Sequence, residues 1–140
     1  MPPMTRPPLL AALTAAVLLV AGCGGESGDL FAVERSGDIP GADLRLIVDD
    51  GGTLTCNDEK AKPLPDKLLL DARAIATDIE EPAQQSLNLK PGPQSILQYV
   101  VHTPDGTVRF ADDSPGQPEV TQKVAYFARQ AAQQVCGLAR

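Results

Sequence analysis

The N-terminal segment decides how much of this 140-residue chain is available to fold. Leu9–Val20 is an uncharged run of 12 residues, built from Leu, Ala and Val around one Thr. Such a run is shorter than the roughly 20 residues of a membrane-spanning helix, and it is typical of the apolar core of a secretory signal peptide. An uncleaved helix of the folded core is the alternative. If residues 1–22 are removed, 118 residues remain to build a core.

The residues that follow this run resemble the lipobox of bacterial lipoprotein signal peptides. Small residues at 20–22 (Val-Ala-Gly) directly precede Cys23, and glycines follow at 24 and 25. In that family the cysteine thiol is alkylated with diacylglycerol and the peptide is cut just before it. An ordinary secretory signal, which favours Ala-x-Ala before its cleavage site, is the alternative. The resemblance implies that Cys23 is the lipid attachment site and the N-terminus of the mature chain.

The same resemblance implies three parts. Residues 1–22 are the signal peptide, residues 23–29 a lipidated flexible tether, and residues 30–140 a single domain, held at the cell membrane on its extracytoplasmic face. Loss of Arg6 with the signal peptide leaves 11 basic and 18 acidic side chains, a net charge of −7. This acidic balance argues against nucleic acid as a partner and against a basic patch for anionic lipid. The predicted membrane attachment therefore depends on the acyl chains.

Cys56 and Cys136 are the two cysteines that remain in the mature chain. An exported domain with two such thiols most often pairs them, and a bridge that closes about 80 residues contributes at most about 4–5 kcal/mol. A metal or redox site is the alternative. The chain has no Cys-x-x-Cys, and its only histidine, His102, lies 34 residues from the nearer cysteine. We therefore predict a structural disulfide between Cys56 and Cys136.

The spacing of apolar residues predicts five strands and two helices. The predicted strands are Leu30–Arg35, Leu44–Val48, Thr53–Cys56, Ser95–Thr103 and Thr107–Ala111, and the predicted helices are Asp66–Glu80 and Pro118–Cys136. Asp66 is the expected N-cap of the first helix and Pro82 its stop. We expect an α+β fold in the order β-β-β-α-β-β-α. It has one antiparallel sheet of about four to five strands, two amphipathic helices on one face and one disulfide.

His102 is the only neutral-pH base in the chain, and the sequence gives it no catalytic partners. Asp105 lies close by in sequence, but neither a Gly-x-Ser-x-Gly motif nor a free thiol accompanies the pair. A solvated histidine at the end of a strand is the simpler interpretation. We therefore predict no catalytic residue, no cofactor and no enzymatic activity.

Two groups of carboxylates are candidates for a calcium site. Asp49, Asp50, Asp58 and Glu59 stand on either side of one predicted hairpin strand and offer oxygen ligands. The EF-hand spacing is absent, and aspartates in turns are explained by turn chemistry. Asp112 and Asp113 precede the second predicted helix, and aspartates at such positions are explained as N-terminal helix caps. We therefore predict no metal site.

The start of the domain resembles small emfourin-like proteins. The segment Val33-Glu34-Arg35-Ser36-Gly37, followed by Gly41, is similar to the Val-x-Arg-Ser-Gly-Gly opening of that family. A helix with a leucine-rich start at 68–70, a Tyr-x-Val strand at 99–101 and a closing helix continue the likeness in order. Residues 38–40 (Asp-Ile-Pro) depart from the family pattern, and the cysteine pair is additional. The resemblance implies inhibition of thermolysin-like metalloproteases.

Two functions therefore compete. The first is a membrane-anchored extracytoplasmic lipoprotein whose small domain binds an unknown protein or small-molecule ligand without catalysis. The alternative is an emfourin-like inhibitor of exported metalloproteases. An enzyme is a distant third, and it would require a pocket that gathers His102 with two carboxylates.

Overall fold

The computed structural model describes residues 2–4 and 28–139, and the first described strand begins at Asp29. The strands are β1 (Asp29–Gly37), β2 (Leu44–Asp49), β3 (Thr53–Cys56), β4 (Lys62–Pro63), β5 (Leu97–Thr103) and β6 (Gly106–Ala111), and the helices are α1 (Asp66–Asp78), α2 (Glu80–Gln84) and α3 (Glu119–Gln134). The predicted α+β class and the order of its five strands and two long helices are confirmed. The structure adds the short elements β4 and α2.

The strands form one six-stranded sheet in the order β4-β3-β2-β1-β5-β6. All neighbouring strands are antiparallel, and β1 lies near the centre with β2 on one side and β5 on the other. Strand β4 is not predicted from the sequence because it has two residues and contains Pro63. A proline is tolerated there because an edge strand does not need every N–H for the ladder.

The alternation of side chains along the strands divides the sheet into two faces. The face packed against the helices holds the core, and its buried strand residues include Phe31, Val33, Leu46, Val48, Leu54, Cys56, Tyr99, Val101, Val108 and Phe110. On α3, Phe127 meets Phe31 edge-on, with ring centroids 5.7 Å apart. The other face carries exposed or half-buried side chains such as Glu34, Arg45 and His102. The helices therefore lie on one face, as predicted.

The ends of the helices differ from the sequence prediction. Asp66 is the first helical residue of α1 rather than its cap, because Pro65 occupies the N-cap position without a side-chain hydrogen bond. The predicted stop at Pro82 is also wrong, since α1 ends at Asp78 and Pro82 lies inside α2. Proline fits there because it lies in the first turn of α2, where its missing N–H has no helical partner to lose.

The predicted disulfide is confirmed. Cys56 at the end of β3 is bonded to Cys136, which follows α3, across 80 residues of sequence. Because α3 begins after β6 and ends at this bond, the helix crosses the sheet from its β6 side to its β3 side. The disulfide thus fixes the end of α3 to the edge of the sheet.

The predicted lipid attachment site, Cys23, lies outside the described residues, as does the apolar run at 9–20. The predicted signal peptide and the lipid on the tether stay predictions. Within residues 2–4 and 28–139, no helix has both the length and the apolar character needed to cross a membrane.

Candidate functional site

A cleft of about 650 Å³ lies between α3, the neighbouring ends of β1 and β5, and the loop that joins β1 to β2. It is lined by Arg35, Ile39, Ile96, Leu97, Tyr99, Asp112, Ala125, Tyr126, Arg129, Gln133 and Ala139. Its volume falls within the range of about 300–1,000 Å³ that is usual for small-molecule sites. Its lining mixes apolar side chains with a few charged ones, as ligand sites commonly do.

Arg35 forms part of the cleft from an unusual position. It follows Phe31 and Val33 in the alternation of β1 and therefore points to the helix-covered face, where only 4% of it is exposed. Its Nε donates to the carbonyl of Ala42 at 2.9 Å, and its Nη2 donates to that of Gly41 at 3.1 Å. These bonds fix the loop between β1 and β2 against the strand, so this wall of the cleft is preformed.

Tyr99 lies beside Arg35 in the neighbouring strand, because the two residues are register partners of β1 and β5. Its ring stacks on Phe110 with centroids 4.9 Å apart. Burial is the main cause that raises the pKa of the Tyr99 hydroxyl; the Arg35 charge lowers it and the Asp112 charge raises it. Tyr99 thus lines the cleft as a buried aromatic ring, supported by Phe110 behind it and close to charged groups of both signs.

Asp112 and Asp113 hold the segment that precedes β5. The Asp112 carboxylate accepts the N–H of Ile96 at 3.1 Å, and Asp113 accepts those of Gly92 at 2.9 Å and Gln94 at 2.7 Å. The prediction that these aspartates cap the last helix is wrong, because the N-cap of α3 has no side-chain hydrogen bond. The carboxylates of these two aspartates accept hydrogen bonds from loop N–H groups, and these bonds hold Ile96 at the rim of the cleft.

The α3 wall is formed by Ala125, Arg129 and Gln133, which are four residues apart and therefore share one side of the helix. Arg129 is exposed and makes no hydrogen bond or ion pair within the part of the chain that the structure describes. Two large apolar side chains stand at the rim, since Tyr126 is 58% exposed and Ile96 52%. Exposed apolar groups that flank a cleft mark a binding surface more often than isolated ones do.

The other side of α3 forms a smaller groove of about 270 Å³ with α1. Lys123 of α3 pairs with Asp78 of α1, with Nζ and Oδ2 3.0 Å apart, and Lys67 pairs with Asp71 at 2.8 Å. The cationic groups of this groove therefore already have carboxylate partners, whereas Arg129 has none among the described residues.

The residues considered from sequence as catalytic candidates do not lie in this cleft. His102 is on the face of the sheet away from the helices, where its Nε2 is 3.5 Å from Oε1 of Glu34. Asp105 belongs to the turn after β5, where its N–H is bonded to the Thr103 hydroxyl at 3.1 Å. The structure thus keeps His102 and the cleft on opposite faces.

The carboxylates considered as calcium ligands are also separated. Asp49 and Asp50 precede β3, whereas Asp58 and Glu59 follow it, so the two pairs lie at opposite ends of that strand. Asp50 is paired with Arg73 of α1 at 3.3 Å, and Asp58 with Arg45 of β2. Within residues 2–4 and 28–139, no group of three or more metal-ligating side chains is brought together.

The comparisons with known proteins found no match to this chain among family models, curated proteins or solved structures.

Proposed function

We propose that this protein is a lipid-anchored binding protein of the bacterial envelope. Its domain takes up a ligand in the cleft beside α3 without transforming it. The cleft is the observation that carries the proposal, because it has the volume of a small-molecule site and a wall preformed by the bonds of buried Arg35. The apolar rim at Ile96 and Tyr126 supports the same function.

The position of the cleft suits a domain that is tethered at its N-terminus. β1 starts at Asp29, six residues after Cys23. Arg35 is six residues further on, which at about 3.3 Å per residue places it about 20 Å from Asp29. The proposed anchor and the proposed binding site therefore belong to opposite ends of β1.

The anchor is tested by Cys23→Ala, with Cys136→Ala as the matched control that removes a different cysteine. We expect Cys23→Ala to abolish lipid incorporation and to release the protein from the membrane fraction or block its processing. Cys136→Ala removes the disulfide and leaves membrane recovery unchanged. Unaltered membrane recovery of Cys23→Ala contradicts the proposed anchor.

The absence of catalysis is tested on a chain that starts at Gly28, since every described strand and helix, the described core and the disulfide follow that residue. We expect this domain to bind without turnover. A substrate that the domain converts, with conversion lost in His102→Ala, would show that it is an enzyme.

The alternative function is inhibition of exported metalloproteases. The residues that carry the emfourin resemblance form β1 near the centre of the sheet, and two of them, Glu34 and Ser36, are exposed on the face away from the helices. A partner could contact them there. Absence of inhibition by the domain at micromolar concentration, across a panel of thermolysin-like proteases, removes this alternative.

A further inference from the structure

The cleft has a charge that contrasts with the rest of the molecule. Among the described residues, two guanidinium groups, those of Arg35 and Arg129, and one carboxylate, that of Asp112, line it. The mature chain as predicted from the sequence carries a net charge of −7. A local excess of positive charge in an acidic protein selects for anions, because most of the remaining surface repels them.

The two arginines stand in different environments. Arg35 is buried, and its Nε and Nη2 donate to the carbonyls of Ala42 and Gly41. Arg129 is exposed on α3 and has no carboxylate partner among the described residues. A ligand carboxylate or phosphate can therefore pair with Arg129 without first breaking an ion pair within the described chain. Arginine is well suited to this role, because its planar fork matches both groups.

The apolar part of the cleft determines what accompanies the anionic group. Ile96 and Tyr126 expose 52% and 58% of their surface at the rim, and Ile39 and Leu97 line the interior. Covering such side chains is favourable by about 25 cal/mol per Å² of apolar surface removed from water. An inorganic anion would leave them exposed, whereas an organic anion with a hydrocarbon group would cover them.

We propose that the cleft binds a small amphiphilic anion, with its carboxylate or phosphate head at Arg129 and its apolar part against Ile96 and Tyr126. The inference rests on the proposed binding function and names its ligand class. Carboxylate and phosphate heads share the chemistry that an arginine recognises, so the experiment includes both.

The test is calorimetric titration of the chain starting at Gly28 with octanoate, octyl phosphate and the uncharged 1-octanol. We expect one or both anions to bind more tightly than octanol. Arg129→Gln should weaken anion binding about tenfold and leave octanol binding unchanged, because it removes a charged hydrogen bond. Arg129→Lys should restore part of the affinity. Tyr126→Ser should weaken the anions and octanol alike.

Arg109→Gln is the matched control, because Arg109 is an exposed arginine of β6 on the face away from the helices. It removes the same charge and should leave anion affinity unchanged. The proposal is overturned if neither anion binds at millimolar concentration, if octanol binds as tightly as the tighter of the two anions, or if Arg129→Gln and Arg109→Gln lose anion affinity equally. None of these outcomes changes the result of the Cys23→Ala test of the anchor. The proposed ligand class can therefore be refuted without refuting the proposed lipid anchor.

Discussion

The two long sides of α3 differ in what faces them. On one side α1 lies alongside, Lys123 is paired with Asp78, and Phe127 is 1% exposed. On the other side no helix of the described residues lies alongside, and Ala125 and Arg129 face the cleft. Helices packed side by side occupy about 10 Å each, so two of them cover about 20 Å. The nine residues of β1 extend further, about 26 Å from first to last, which leaves one end of the strand uncovered.

This difference indicates that one side of α3 stabilises the fold and the other is available to a ligand. The largest expected effect tests whether the side of α3 that faces α1 stabilises the fold. Phe127→Ala should lower the free energy of unfolding by about 3–5 kcal/mol, because it empties a buried site in contact with Phe31. The substitution Tyr126→Ala at the neighbouring residue should change the free energy of unfolding by less than about 0.5 kcal/mol. Denaturant unfolding of both variants measures the two free energies. Equal losses of stability in Phe127→Ala and Tyr126→Ala would contradict the different roles of the two sides of α3.

The disulfide tests whether the end of α3 must be fixed for the cleft to form. The double variant Cys56→Ala/Cys136→Ala should lose about 2–4 kcal/mol of stability, because the unfolded chain gains conformational freedom. Binding in the cleft should weaken as well, since Gln133 and Ala139 lie on either side of Cys136. Thermal unfolding with and without a reductant provides the measurement, and a wild-type domain unaffected by reduction would contradict the structural role.

The segment before β5 tests how the cleft wall is held. Asp113→Ala leaves the N–H groups of Gly92 and Gln94 without their acceptor and should cost about 1–2 kcal/mol. Hydrogen exchange at these two amides should accelerate, with exchange in α1 unchanged. Protection equal to that of the wild type at both positions would show that the aspartate does not hold the wall.

The smallest effect concerns Tyr99 at high pH. Its pKa is raised above the usual 10.0 mainly by burial, so the folded chain keeps the phenol proton where the unfolded chain loses it. This contribution to stability is complete below pH 10 and is lost as the pH rises through the folded pKa. Tyr99→Phe should therefore lose less stability than the wild type between pH 9 and about 12. The free energy of unfolding of both proteins is measured against pH in this range. An equal pH dependence in the wild type and Tyr99→Phe would contradict a buried, protonated Tyr99.

The sequence predicts the framework of this fold because its apolar spacing is regular. The alternation in β2 and β5 and the stripe of α3 are long enough to be read without tertiary information. β4 and α2 are too short to carry such a pattern, and both contain a proline, Pro63 and Pro82 respectively. Their formation depends on neighbours that the sequence does not reveal.

The cleft was not predicted, although one feature could have indicated part of it. Arg35 occupies the third inward position of β1, after Phe31 and Val33, and a charged residue at such a position requires partners in the interior. Arg129 gave no comparable indication, because an exposed arginine on a helix is ordinary. Its contribution to the cleft depends on where α3 lies across the sheet, which only the packing determines.

Mapping ligand contacts by nuclear magnetic resonance tests the central claim most directly. Amide signals of the chain starting at Gly28 are followed while octanoate is added. The account predicts shifts at Ile96, Ala125 and Arg129, with signals of Lys67 and Ala74 in the groove between α1 and α3 unchanged. Shifts confined to that groove, or scattered over the whole surface, would contradict the assignment of the cleft side of α3 to ligand binding.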